Sequence, residues 1–170
     1  MKTIFVLMLS VLIYMQALGY AADSTLVDSR SKIFAQSKEI KSLLPDSKDA
    51  LLVSSMWDSC VIAMTQLDAY FSIVGIFNTI KKEDLNDNTI NYLIDWLMVI
   101  KDTNAVNIKS LNSIAPSEAV TKVHIDKLRS YFIELNNIID KELIKIGKLK
   151  EAVKTTKEKE KVTPPKQKKN

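Results

Sequence analysis

Apolar residues in this chain fall into four long stripes at helical spacing, separated by short polar breaks. In the first, over residues 24–44, Leu26, Ile33 and Ile40 recur every seven positions, with Val27, Phe34 and Leu44 beside them. That period predicts an amphipathic helix. Pro45 ends it, because the residue before a proline is pushed out of the helical region, and Asp46 or Ser47 is the expected N-cap of the next helix.

The second stripe predicts a helix over residues 47–80. Val53, Trp57, Cys60, Met64, Leu67, Phe71 and Val74 follow one another at alternating spacings of four and three, the pattern of a helix packing along its length. Leu52, Met56, Ile73, Ile76 and Phe77 widen the stripe, which marks this helix as the most buried. Gly75 interrupts it at a cost of about 1 kcal/mol relative to Ala, with close approach of a neighbouring backbone as its expected use. The charged, turn-forming run KKEDLNDN then breaks the pattern.

A third helix follows over residues 87–114, capped by Asp87 or Asn88, with a stripe of Ile90, Leu93, Leu97, Ile100 and Leu111. Asn104 and Asn107 interrupt its second half, which should pack more weakly. The fourth helix, over residues 117–153, starts at Ser117 as N-cap, with Glu118 near the positive end of the helix dipole. Ile125, Leu128, Phe132, Leu135, Ile139, Ile146, Leu149 and Val153 form its stripe, and Glu142 is the single interruption.

Short connections make consecutive helices antiparallel. The predicted fold is therefore all-α: an elongated up-down-up-down four-helix bundle over residues 22–153. Scarcity of turn residues, 3 Gly and 4 Pro in 170 residues, agrees with few long helices.

Both ends of the chain differ from this pattern. Residues 1–21 read as a signal peptide: Lys2, then an apolar run, then Gly19 and Ala21 at the small-residue positions before the cut. This predicts an exported protein, secreted or periplasmic, that is not an integral membrane protein once cleaved. Residues 154–170 are almost without apolar residues and are predicted to be a disordered, Lys-rich tail.

Charge sharpens this division. The full chain carries a formal +4, but residues 22–153 hold 16 basic and 18 acidic side chains, a net of −2. The tail holds 7 Lys and 2 Glu, a net of +5. A basic pI therefore does not imply a nucleic-acid-binding domain. Lys154, Lys157, Lys159, Lys161, Lys166, Lys168 and Lys169 instead suggest an electrostatic tether to an anionic surface. They have no interleaved aromatic residues on which bases would stack.

Candidate chemistry is sparse. Cys60, the single cysteine, lies on the second stripe and reads as a small buried hydrophobe. His124, the single histidine, has no second ligand at helical metal spacing and reads as a rim residue. Asp58 and Asp68 are ten residues apart, too far to work as one acid–base pair. Gly-rich phosphate loops and nucleophile elbows are missing from the sequence. Residues 61–80 approach a membrane span in length, but Gln66, Asp68 and Asn78 favour a soluble core helix.

No enzyme activity, cofactor or metal is predicted. The expected function is binding of a protein partner, with carriage of an apolar small molecule as the alternative. Trp57, Tyr70, Phe71 and Trp96 are the candidate lining of such a ligand site between helices.

Overall fold

The computed structural model describes residues 22–81 and 84–162, with side chains to residue 155; residues 1–21, predicted above as a signal peptide, and residues 163–170 lie outside them. Four helices follow in order: α1 Ser24–Leu43, α2 Ala50–Phe77, α3 Asp87–Asn112 and α4 Ala119–Val162. No strand occurs among the described residues. Each helix packs antiparallel on its sequence neighbours, and α1 closes the bundle against α4. At 1.5 Å per residue, the 28 residues of α2 span about 42 Å, which gives the elongated shape.

One register of seven runs through all four helices. Leu26, Ile33 and Ile40 of α1 and Val53, Cys60, Leu67 and Val74 of α2 repeat it in the core. Ile90 and Leu97 of α3, and Ile125, Phe132, Ile139 and Ile146 of α4, continue it. A second core row lies three residues after the first in each helix. In α2 this second row is Met56, Ala63, Tyr70 and Phe77, not the expected Trp57, Met64 and Phe71. Those three sit one position round the helix, half-buried. Apolar residues at both offsets made the two phases equivalent in sequence, and only the neighbours' positions separate them.

The residues that widen the second stripe divide accordingly. Met56 and Phe77 are buried, Leu52 and Ile73 are half-buried, and Ile76 is exposed. The α2 helix is thus amphipathic within the bundle and not buried on all sides. Gly75 has no neighbour within 4 Å of an added Cβ, so no backbone approaches it. Val27 and Phe34, expected beside the first stripe, are also exposed. Arg30 and Lys38 cover the Phe34 ring, at 5.9 and 4.3 Å from its centroid.

Helix starts fall slightly later or earlier than expected. Asp49 is the N-cap position of α2, not Asp46 or Ser47. Pro45 is followed by a tight turn, in which the Asp46 and Ser47 N–H groups both donate to the Leu43 carbonyl. Asn86 caps α3 ahead of Asp87, its side chain accepting from Thr89 N–H at 3.1 Å.

At the same end of the bundle, the starts of α2 and α4 cap each other. Asp49 accepts from Ser117 Oγ (2.6 Å) and from the N–H groups of Ser117 and Glu118 (both 3.0 Å). Glu118 in turn accepts from Ser47 Oγ (2.6 Å) and Lys48 N–H (3.1 Å). Two positive helix ends are brought side by side here, and each receives the other's carboxylate. Helix α4 continues to Val162, beyond Val153 where its apolar row ends. Lys and Glu have high helix propensity and alternate in sign there, so the helix needs no partner to persist for two more turns.

Candidate interaction surface

Continuing the register outward shows what each face of the bundle offers. Across α1 and α4 the flanking positions are charged and paired. Lys32 meets Glu134 at 2.7 Å, and Lys127 meets Glu39 at 2.8 Å. Arg30 makes a two-pronged pair with Asp68 between α1 and α2, at 2.7 and 2.8 Å. Lys101 pairs with Asp140 between α3 and α4.

Across α2 and α3 the described residues make no ion pair. Uncharged groups join these helices instead. Gln66 Nε2 donates to Thr103 Oγ1 (3.0 Å), and Trp96 Nε1 donates to the Gln66 carbonyl (3.0 Å). Ser59 Oγ also donates to Asn107 Oδ1 at 3.4 Å.

Outside this seam lies an apolar strip. Ile62 and Ile76 of α2, and Tyr92, Val99 and Val106 of α3, are exposed by 47%, 66%, 57%, 47% and 64% respectively. Each row repeats at multiples of seven, which puts its members on one helix face. In the seven-residue register both rows lie beside the α2–α3 contact, so they face the same way. Their helix-mates on the outermost positions include Asp58 of α2 and Asp95 and Asp102 of α3, none of them ion-paired among the described residues. An uncharged centre is therefore edged by carboxylates. Lys109 lies at the end of the α3 edge, in the last turn of the helix.

At one end of the strip the helices part. Ile73, Ile76, Phe77 and Ile80 face Thr89 and Tyr92 across a groove of about 320 Å³. That is room for one bulky apolar side chain. Its lining is almost wholly hydrocarbon, so an inserted apolar group loses water without stranding a hydrogen-bonding atom.

The core also holds polar side chains, and several of them bond across the helix gaps. Glu142, almost fully buried in α4, accepts from Tyr70 Oη and from Asp23 N–H, both at 3.3 Å, and lies 3.6 Å from Lys145 Nζ. Gln36 Nε2 and His124 Nδ1 lie within hydrogen-bond distance, 2.6 Å apart. Asn104 Nδ2 donates to Asn136 Oδ1 at 3.1 Å. Among the described residues no group of three or more His, Cys, Asp and Glu is arranged to hold a metal ion.

The four candidate ligand-site aromatics do not share one cavity. Tyr70 is fully buried against Glu142. Phe71 is half-buried, its ring 6.1 Å from that of Tyr70. Trp57 stands about 21 Å along α2 from Phe71, under the Lys41 ammonium at 5.1 Å. Trp96 belongs to the α2–α3 seam. Sequence reasoning missed the apolar strip, although the signal was present: α2 and α3 both carry apolar residues two positions after the first core row.

Cys60 is fully buried among apolar neighbours, and burial pushes its thiol up to about 12. Of the tail lysines, Lys154 stands exposed on α4. Lys157, Lys159 and Lys161 lie on its last two turns with side chains outside the described set. Lys166, Lys168 and Lys169 lie outside the described residues altogether. By length and composition, Ala50–Phe77 is the one helix among the described residues that could cross a membrane; 33% of its most apolar window is buried inside the bundle. A helix presenting two core positions in every seven is expected to bury about that share.

No protein-family model matches this chain, and comparison with curated proteins and with solved structures finds no match.

Proposed function

We propose that this chain is an exported, non-enzymatic binding protein that meets its partner through the α2–α3 face. The observation that carries this reading is the asymmetry of the surface. Ion pairs span the α1–α4 gap, while α2 and α3 share no ion pair among the described residues and expose five large apolar residues in two aligned rows beside their contact. Contiguous exposed apolar surface edged by polar residues is the mark of an interaction site. The leader supports export, and the Lys-rich end of α4 and the residues beyond it supply attraction to anionic surfaces.

Processed protein recovered from the exporting cell should begin at Ala22 by N-terminal sequencing. It should bind vesicles of phosphatidylserine and phosphatidylcholine at low salt and release them at high salt. Replacing the seven tail lysines by Gln should remove that binding. Retention after the replacement would refute the tether.

Carriage of an apolar molecule is the second reading, and the groove at Ile73, Phe77 and Tyr92 favours it. Native mass spectrometry distinguishes the two. A bound small molecule lost on Phe77→Ser would make the groove a ligand site; a bare mass leaves the face to a macromolecular partner.

A further inference from the structure

We infer that the occupant of the α2–α3 face is a cationic amphipathic helix of another chain. This rests on the reading of that face as the binding surface and adds the chemistry of the partner. Shape comes first. Two antiparallel helices present a strip whose centre is Ile62, Ile76, Tyr92, Val99 and Val106 and which runs about 21 Å along each helix. A third helix laid along it matches this with apolar residues at spacings of three and four. The groove near Phe77 takes one bulky anchor from that helix.

Charge decides between occupants. Asp58, Asp95 and Asp102 border the strip and form no ion pair among the described residues, whereas Asp68, on the α1 side of α2, is already held by Arg30. The charged residues of α2 are these two aspartates alone. Lys or Arg flanking the apolar stripe of an incoming helix would meet carboxylates on both edges. A second copy of this chain would bring its own acidic edges against them. An anionic bilayer would be repelled at the same positions, which is why the tail and not this face is suited to lipid.

The probe is a synthetic 18-residue helix of Leu and Lys with one Trp, measured by fluorescence titration against the full processed chain. Controls are a scrambled peptide of the same composition and an amphipathic Leu–Glu peptide. The Leu–Lys helix should bind, the scrambled peptide should not, and the Leu–Glu helix should bind at least tenfold more weakly. Combined Asp58→Asn, Asp95→Asn and Asp102→Asn should cut affinity about tenfold and flatten its salt dependence. These exposed substitutions leave the core intact, and unchanged circular dichroism would verify that. Val99→Lys with Val106→Lys should abolish binding.

Equal binding of the Leu–Lys and Leu–Glu helices, both lost on Val99→Lys with Val106→Lys, would keep the face and overturn its cationic partner. Failure of every peptide to respond to that double substitution would overturn the face itself. Self-association removed by the same substitution would assign the face to a second copy. Binding to phosphatidylcholine vesicles removed by it would assign the face to lipid.

Discussion

The α1–α4 and α2–α3 sides of the bundle are built on the same seven-residue register, yet they present opposite chemistry. Along α1–α4, Lys32, Glu39, Lys127 and Glu134 bond across the helix gap, and their stems cover the apolar rows beneath. Along α2–α3, short uncharged side chains bridge the gap, leaving Ile62, Ile76, Val99 and Val106 in water. The ionic side gains little stability from its surface pairs, since exposed pairs contribute about 0–1 kcal/mol each. What those pairs do is fix solubility and pairing. The bare side has no ion pairs among the described residues, and it is held by the core rows and the uncharged bridges beside them. A helix pair that needs no charge to hold together, and carries none at its centre, has its outer surface available for something else.

The comparison can be broken or sharpened by substitution. The largest effect belongs to the shared core: Leu67→Ala should cost about 2–5 kcal/mol in denaturant unfolding. A loss below 1 kcal/mol would mean that α2 is not seated as described. Next is Glu142. Removing its carboxylate as Glu142→Leu leaves Tyr70 Oη and Asp23 N–H without their acceptor and should cost about 1–3 kcal/mol. Glu142→Gln keeps an acceptor oxygen and should cost less; equal losses would show that volume rather than hydrogen bonding matters at this position.

Acid should weaken the capped and ion-paired parts of the bundle selectively. Asp49 lies below its ordinary value of 3.8, because Ser117 and then the Ser117 and Glu118 N–H groups bond its charged form. Asp68 is lowered by Arg30, Glu39 by Lys127 and Asp23 by Thr25. Each carboxylate is thus harder to protonate folded than unfolded. Their contribution is complete above the ordinary values of 4.5 for Glu39 and 3.8 for the aspartates, and is lost as pH falls through the lower folded values. The urea midpoint should drop as pH falls below about 4.5. Asp49→Asn should reduce stability near neutral pH and shrink that drop. The same acid dependence in wild type and variant would remove Asp49 from the account.

The smallest effect distinguishes the bare side most clearly. Val106→Ser, on a side chain already 64% exposed, should change stability by less than about 0.5 kcal/mol while weakening the Leu–Lys helix measurably. A stability loss comparable to that of Leu67→Ala would mean that the strip is part of the core and not a docking surface.

Much of the fold was legible because spacing alone encodes it. Leu26, Ile33 and Ile40, or Leu128, Phe132 and Leu135, can share a face only on a helix, and Pro45 and the polar run after Ile80 mark where helices stop. Less legible was which of two adjacent apolar rows turns inward. Trp57, Met64 and Phe71 satisfy the helical period as well as Met56, Ala63 and Tyr70 do, so spacing alone does not choose between the two rows. The caps were misplaced for a similar reason. Several short polar residues stood at each boundary, and which one caps depends on the helix that arrives beside it: Asp49 serves Ser117 and Glu118, more than sixty residues away.

The sequence by itself determined four amphipathic helices, their order, their antiparallel succession and a buried thiol, because these follow from the period of apolar residues and the reach of short connections. Tertiary structure alone decided the phase of α2, the pairing of Glu142 with Tyr70 and the placing of ion pairs across α1–α4 and of uncharged bridges across α2–α3. Those depend on which helix flank meets which neighbour, and a one-dimensional pattern leaves that choice open until the helices pack.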